Sequence, residues 1–332
     1  MNKRRTFGTL LGFGISALFL ALALYRVDFA QVARAIAHAD YRLMLGSALF
    51  TLLSYVLRTL RWQRLLVPQK NIPARRLFPI LVIGFALNNV LPGRPGEIAR
   101  GFALGQREKL SKTLGIATVV LERVADGLAL IAILAALALF FRLPGWGQEV
   151  EGLSLLIFGA AFLFMVLMLW REHWMTQRLH RVIHILPEKF AHRLANMFAS
   201  FIMGLHALRS PRAGIAVACL SLATWLCEGC SYFMALSAFG LLSLPTQRIF
   251  GALFMMVIVN LSISIPAAPG GVGPFEAAGI LALGAFSVTK DAALPAVLVA
   301  HMMQFALITG MGVFLMARDG IKLTQAVEIV KE

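Results

Sequence analysis

Two glycine- and proline-rich interruptions of apolar sequence decide the fold of this chain, and each ends in a glutamate. The first is Asn88-Asn89-Val90-Leu91-Pro92-Gly93-Arg94-Pro95-Gly96-Glu97, and the second is Pro266-Ala267-Ala268-Pro269-Gly270-Gly271-Val272-Gly273-Pro274-Phe275-Glu276. Proline lacks an N–H and glycine carries an entropic cost, so both predict that a helix ends. Broken backbone survives in a bilayer only where protein or a water-filled cavity surrounds it. Two such breaks, one in each half, point to a transport site between repeats.

The composition is that of a polytopic membrane protein. Hydrophobic residues make up 59% of the 332 residues and charged residues 14%, and mean hydropathy is +0.79. Several apolar stretches reach the ~20 residues that cross a bilayer, which leaves no room for a large soluble domain. The net charge of +15 lies in loops between spans, as the positive-inside rule expects. Since aromatic-plus-basic modules are absent, we exclude nucleic acid as a partner.

The predicted fold is all-α, with about six full transmembrane helices and two re-entrant helical hairpins. The hairpins are segments 77–104 and 248–289, which hold the breaks. Each half of a hairpin is roughly 10–18 residues, too short to span alone. The six predicted spans are 6–25, 42–60, 114–141, 153–170, 213–239 and 293–316. The run from Thr6 to Leu24 is interpreted as an uncleaved span, with a cleaved signal peptide as the alternative.

The distribution of charge orients these spans. With the N-terminus inside, most Lys and Arg residues fall on the inner side, so both termini are predicted to be cytoplasmic in a plasma (inner) membrane. Residues 1–332 then form one membrane domain, in which 42–141 and 213–316 are inverted copies. The alternative is coincidence, because Gly and Pro are frequent in membrane helices. Between the copies, 171–212 is predicted to be a basic, amphipathic cytoplasmic segment on anionic lipid.

Neither the cysteines nor the histidines of the chain predict a metal site. Cys227 and Cys230 form a C-x-x-C inside an apolar segment, where small buried thiols are the simpler interpretation. His180 and His184 lie in the basic segment 171–212, and no carboxylate or thiol completes a site with them. We therefore predict no metal and no cofactor.

Ionisable groups inside a membrane are functional by default. Glu122 and Asp126 share a helix face beside Arg123, and Glu228 lies near the middle of a span. Two further carboxylates, Glu97 and Glu276, follow the breaks. They either cap the next half-helix or act as proton or ligand sites.

Arg94 is the candidate for anion binding, because it lies in the first break, where the backbone is open. Arginine pairs bidentately with phosphate or carboxylate, and a helix start beside it adds N–H donors. With Arg100 it would form a phosphate-binding spot facing the cytoplasm. The alternative is an ion pair with Glu97, Glu122 or Asp126. Further path residues are Asn89 and Asn260, which together with Asn88 could bond unwound backbone. Arg58 and Arg61 are interfacial anchors or headgroup contacts, and Gly270, Gly271 and Gly273 are the facing glycines.

Taken together, these motifs resemble the lysylphosphatidylglycerol synthase transmembrane family, also called flippase-like membrane proteins. The matching residues are Arg58-x-x-Arg61-Trp62, Asn89-x-x-Pro92-Gly93-Arg94-x-Gly96-Glu97-x-x-Arg100, Glu122-Arg123-x-x-Asp126, Glu228 and Pro269-Gly270-Gly271-x-Gly273-x-x-Glu276. The resemblance implies an integral inner-membrane protein that moves a lipid or lipid-linked molecule between leaflets. In the multiple peptide resistance factor this region is fused to an aminoacyl-transferase domain. Since this chain stops at Glu332, we expect no lysyl transfer.

The functional hypothesis is a lipid flippase-like translocator whose partners are membrane lipids with anionic headgroups. No nucleotide-binding motif or nucleophile–base triad appears, so the chain is not expected to be an enzyme. One alternative is a secondary transporter of a small anion, metabolite or ion. Another is a membrane-embedded enzyme of lipid modification, or the non-catalytic partner of one. The oligomeric state stays open.

Overall fold

The structure is a computed structural model that describes residues 27–174, 201–264 and 269–320, with scattered positions in 14–25 and at 177, 195 and 198. All regular secondary structure in these ranges is helical. The predicted first span, most of the amphipathic segment and His180 and His184 lie outside the described residues. The α-helices are α1 Phe29–Ala37, α2 Tyr41–Leu66, α3 Ala74–Val90, α4 Pro95–Glu108, α5 Lys112–Ala138, α6 Gly145–Trp170, α7 Pro211–Ala238, α8 Pro245–Ile263, α9 Pro274–Gly284 and α10 Lys290–Arg318.

Five described helices are long and apolar enough to cross a membrane, namely α2, α6, α7, α8 and α10, so the chain is a multi-pass membrane protein. Helix α5 has 27 residues and carries Glu122, Arg123 and Asp126. Helix α8 differs from the prediction. It has 19 residues and is apolar enough to span, whereas the sequence analysis treated it as too short. Helices α3, α4 and α9 have 17, 14 and 11 residues.

Both predicted breaks separate helices. The first lies between α3 and α4, where Gly93 (φ 79°) and Arg94 (φ 53°) adopt left-handed backbone. The second lies between α8 and α9, where Gly270 (φ 67°) and Gly271 (φ 74°) do the same. Glycine tolerates such φ values because it has no Cβ. Both α4 and α9 then start with a proline, whose fixed φ suits the first helical position.

The centre of the fold is the contact between α2 and α7, whose interface is lined by hydroxyl groups. Ser47 Oγ lies 2.8 Å from Ser231 Oγ, and Thr51 Oγ1 lies 2.9 Å from the same atom. Small side chains allow membrane helices to approach closely. A second close approach joins α3 to α4, where a Cβ built on Gly96 would lie 1.8 Å from the carbonyl oxygen of Gly84. Helix α10 packs against α3 on the far side.

Candidate functional site

A cavity of about 620 Å³ lies where the two breaks meet the interior of α2, α5, α7 and α10. This volume is in the range of ligand-binding pockets, about 300–1,000 Å³. Aromatic rings form part of the wall, among them Tyr55, Phe85, Trp225 and Phe275. The charged and amide side chains that line it are Arg58, Arg94, Glu97, Arg123, Asp126, Glu228, Asn88, Asn89, Asn260, His301 and Gln304.

One wall of the cavity is a buried ion-pair network built on α2. Arg58 Nη2 lies 3.3 Å from Glu228 Oε2, and Arg58 Nη1 lies 3.7 Å from Asp126 Oδ2. Arg61 Nη1 lies 2.6 Å from Asp126 Oδ1 and donates to Ser221 Oγ at 3.0 Å. Asp126 Oδ1 also accepts a hydrogen bond from Trp225 Nε1 at 3.1 Å. This network ties α2, α5 and α7 together in the interior.

The interfacial placement predicted for Arg58 and Arg61 is wrong. Both are buried, with 5% and 1% of their surface exposed, and Trp62 is fully buried. Helix α2 continues to Leu66, so these residues lie within the packed helix rather than at its end. Arg58 lines the cavity, whereas Arg61 does not.

Arg100 is not exposed in the way that the predicted cytoplasm-facing anion contact requires. It is 2% exposed, and its Nη2 lies 2.7 Å from Glu122 Oε2. Its guanidinium lies 4.3 Å from the ring centre of Trp62, within the range of a cation–π contact. Arg100 and Glu122 are both absent from the cavity wall. The pair therefore joins α4 to α5 behind the cavity.

Arg94 lies in the cavity and links the two breaks. Its Nη2 donates a hydrogen bond to the carbonyl oxygen of Ile263, the last residue of α8. Its Nη1 lies 3.8 Å from Glu97 Oε1, and 30% of its side chain stays exposed. Of the two alternatives, pairing with an acid is thus present in the structure, and the side chain stays partly exposed to the cavity.

Glu97 pairs with arginines rather than capping α4. Its Oε1 lies 3.2 Å from Arg123 Nε, and Asn88 Oδ1 instead accepts from the backbone N–H of Gly96 at 2.8 Å. Among the described residues, Asn89 and Asn260 bond other partners than the unwound backbone. Asn89 donates to Thr309 Oγ1 at 3.0 Å, and Asn260 to a carbonyl in its own helix.

Glu276 caps α9, as one interpretation of the sequence expected. Its Oε2 accepts from the backbone N–H of Gly273 at 2.7 Å. Its other oxygen, Oε1, lies 2.5 Å from Nδ1 of His301 on α10. His301 is not among the residues predicted from the sequence. The signal available was an ionisable side chain inside the apolar span 293–316.

Several buried polar atoms of the cluster have no hydrogen-bond partner within the described part of the chain. They are Arg58 Nε, Arg61 Nε, Arg100 Nε, Arg123 Nε, Glu97 Oε1, Glu122 Oε1 and Asp126 Oδ2. The ion pairs of the cluster join five arginines to four carboxylates, which are Arg58, Arg61, Arg94, Arg100 and Arg123 on one side and Glu97, Glu122, Asp126 and Glu228 on the other. The cluster as a whole carries one positive charge in excess, whereas the three arginines and three carboxylates that line the cavity balance each other. Across the described ranges no group of three or more His, Cys, Asp or Glu side chains could hold a metal.

Comparison with known proteins relates this architecture to a membrane family. The sequence profile of the lysylphosphatidylglycerol synthase TM region matches residues 9–312. A UPF0104 membrane protein of Methanothermobacter thermautotrophicus is 24% identical over 90% of this chain and 92% of its own length. A UPF0104 membrane protein of Methanocaldococcus jannaschii is 28% identical over 61% of the chain and 84% of its own length. Glycosyltransferase AglD of Haloferax volcanii is 25% identical over 96% of the chain, which spans only 55% of AglD.

Proposed function

Because the chain belongs to the family of the lysylphosphatidylglycerol synthase TM region, we propose that it is a flippase-like translocator that moves a phospholipid or lipid-linked molecule between leaflets. The observation that carries the proposal is the cavity of about 620 Å³, which both helix breaks border and which holds the partly exposed Arg94. A polar chamber between apolar helices can shelter a headgroup while the acyl tails stay in lipid.

The two partly exposed arginines of the cavity favour an anionic headgroup. Arg94 and Arg123 each keep 30% of their side chains exposed, while the other arginines of the cluster are almost fully buried. Arg94 also lies at the start of α4, where the positive end of the helix dipole favours an anion. The guanidinium of Arg94 would bind a phosphate bidentately.

The packing order of the helices supports two hairpins in an inverted repeat. In the first half α3 packs against α4, and α4 against α5. In the second half α8 packs against α9, and α9 against α10. Helices α2 and α7 begin the two series and pack against each other. We infer that the two series are the repeats 42–141 and 213–316, with both termini in the cytoplasm.

The similarity to AglD gives a second candidate. That relative is named a glycosyltransferase, and this chain spans 55% of its length. A membrane segment that serves a transferase without catalysing transfer is therefore an alternative role for the same cavity. It would bind the lipid-linked substrate of a partner enzyme instead of releasing it into the opposite leaflet.

The experiment is a lipid-translocation assay on purified protein in liposomes, with a fluorescent phosphatidylglycerol analogue and a membrane-impermeant quencher. We expect the wild type to accelerate exchange between leaflets and Arg94→Ala to abolish it. Arg64→Ala is the matched control, because Arg64 is exposed on α2 and does not line the cavity. Arg94→Lys tests whether charge alone suffices, and we expect it to restore part of the rate.

Two outcomes would contradict the proposal. If the wild type exchanges none of the labelled phospholipids while binding them in the cavity, the transferase-partner role is favoured. If it moves a small anion but no lipid, the chain is a secondary transporter. Circular dichroism of Arg94→Ala separates lost transport from lost folding.

A further inference from the structure

A buried pair of ionisable side chains lies against the second break. Glu276 and His301 are 1% and 4% exposed, and Glu276 Oε1 lies 2.5 Å from His301 Nδ1. The other ring nitrogen, His301 Nε2, lies 2.9 Å from the carbonyl oxygen of Gly270. The imidazole stacks on Phe275, with ring centres 4.0 Å apart. The ring is thus held between a carboxylate and a backbone carbonyl of the break.

These contacts determine how many protons the pair holds. The carbonyl of Gly270 can only accept, so His301 Nε2 must carry a hydrogen. Glu276 Oε2 is already an acceptor for Gly273. At 2.5 Å, Oε1 and Nδ1 must share a further proton, because two lone pairs would repel each other there. Whether that proton belongs to the carboxyl group or to the ring, the pair as a whole is neutral.

We propose that Glu276 and His301 form a proton-binding site that couples lipid translocation to a transmembrane proton gradient. The proposal rests on the proposed function, since it supplies the energy source for that transport. On release, the shared proton passes from the pair to water in the cavity, which His301 lines. On loading, one proton returns to the pair, and no bonds other than N–H or O–H bonds change.

Release would disturb the second break. A neutral ring keeps one hydrogen, and the charged carboxylate of Glu276 attracts it more strongly than a carbonyl does. Nδ1 then carries that hydrogen, and the bare Nε2 faces the carbonyl oxygen of Gly270. Two acceptors at 2.9 Å repel, so the carbonyl must turn away. Left-handed glycines at 270 and 271 can accommodate such a rotation.

The second break also lies close to the first break and to Arg94, which is the proposed contact of the headgroup. An atom added at the Cβ position of Gly270 would lie 3.3 Å from the carbonyl oxygen of Asn89, in the first break's helix. Arg94 donates to Ile263, which precedes the second break. A rotation at Gly270 therefore alters the surroundings of Arg94. This contact route joins proton loading to anion binding.

Other charges face the same cavity and will influence the pair. Helix α3, packed against α10, contributes amides to the cavity wall but no charged side chain, and the charged residues of α1 do not line it. The ring of Tyr232 in α7 stacks on Phe275, with ring centres 6.3 Å apart, and Phe275 in turn stacks on His301. The remaining charged and titratable groups on the cavity wall are Tyr55 and Arg58 of α2, Glu228 of α7, Arg123 and Asp126 of α5, and Arg94 and Glu97 at the first break.

The first test measures the steady-state distribution of fluorescent phosphatidylglycerol in liposomes with an imposed gradient of one pH unit. For one proton per lipid, that gradient changes the ratio between leaflets up to tenfold. Glu276→Gln should lose this dependence. Its amide can still accept from Gly273 and donate to Nδ1, so it imitates the loaded pair with no titratable proton. His301→Gln should lose the dependence as well.

The matched control is Glu172→Gln, which alters another imidazole–carboxylate contact, that of Glu172 and His206 at 3.1 Å, away from the cavity. It should respond to the gradient as the wild type does. If lipid exchange by the wild type does not respond to the pH gradient, the proton coupling is overturned and the proposed function is left intact. If the wild type exchanges no lipid at all, the proposed function fails and the coupling fails with it.

The second test needs only folded wild-type protein. Nitrogen-15 NMR of histidine-labelled protein in micelles should show His301 losing one proton in a single transition as pH rises, with Glu276→Gln removing or displacing that transition. A His301 signal that does not change from pH 5 to 9 would overturn the proton site, whatever the transport assay gives. The His206 signal is the internal reference.

Discussion

Arg100 allows a test of whether the arginines of the cluster have separate structural and functional roles. Replacing Arg100 with Met removes the partner that lies 2.7 Å from Glu122 Oε2. The carboxylate then stays buried with Arg61 at 3.8 Å as its remaining ion-pair partner. Removing one member of a buried pair costs about 3–5 kcal/mol. We expect the free energy of unfolding to fall by that amount.

Two terms contribute to this magnitude. The stranded charge of Glu122, which is 1% exposed, accounts for most of it. The lost contact with Trp62, 4.3 Å from the guanidinium, adds about 0.5–2 kcal/mol. The double variant Arg100→Met/Glu122→Gln removes the stranded charge. It should be more stable than the sum of the single losses predicts, by about 0.5–3 kcal/mol.

The assay is denaturant titration of purified protein in detergent micelles, followed by tryptophan fluorescence. Trp62 and Trp225 are both buried beside the cluster and report its loss. Arg94→Met is the control. Arg94 has a 30% exposed side chain, a 3.8 Å ion pair and one hydrogen bond to the carbonyl of Ile263, so its removal should cost only about 0.5–1.5 kcal/mol. A loss below about 1 kcal/mol for Arg100→Met, or an equal loss for Arg94→Met, would refute the division of roles.

Three further variants test other parts of the structure. Gly96→Ala should destabilise the protein by about 1–3 kcal/mol, because its Cβ would lie 1.8 Å from the carbonyl oxygen of Gly84; unchanged stability in the same titration would contradict this packing. Asn88→Ala should cost about 0.5–2 kcal/mol by removing the acceptor for the N–H of Gly96, and Asn88→Asp should retain most of it. At Asp319, burial raises the pKa, but hydrogen bonds from Arg107 and Arg318 outweigh it and hold the pKa below its usual 3.8. The contact of Asp319 with these arginines therefore contributes under about 1 kcal/mol to the free energy of unfolding. This contribution is present above pH 3.8 and is lost as the pH falls through the pKa of Asp319 in the folded state. Asp319→Asn should remove that acid-dependent part, as measured by unfolding between pH 5 and pH 3.

Local chemistry made the breaks predictable. Gly93, Gly270 and Gly271 adopt left-handed backbone that interrupts a helix, and Pro95 and Pro274 suit the first position of the next helix. The structure has both interruptions where the sequence places them. The capping of α9 by Glu276 is equally local, since it joins positions three residues apart. The multi-pass membrane class followed from composition in the same way.

The contacts of the cluster depend on packing between distant segments and could not be predicted. Arg61 was placed at a membrane interface because basic residues often end spans, yet its partner Asp126 lies on another helix. Which acid meets Arg100 depends on how α4 packs against α5. His301 stands out in the sequence as an ionisable side chain inside an apolar span, but its pairing with Glu276 is not predictable because that partner lies on α9. The 19 residues of α8 likewise reflect helix that continues through Asn260 and Ser262 toward the break.

The hydroxyl-lined contact between α2 and α7 bears on how the two halves can move. Ser47 Oγ can donate either to the carbonyl oxygen or to the hydroxyl of Ser231, both at 2.8 Å. Thr51 has the same choice between Ser231 Oγ at 2.9 Å and the carbonyl oxygen of Ser47 at 3.1 Å. Each hydroxyl is donor and acceptor at once, so a small slide of one helix exchanges partners instead of stranding a polar group in hydrocarbon. An interface of this kind would allow the two halves to shift against each other without leaving a buried hydroxyl group unpaired.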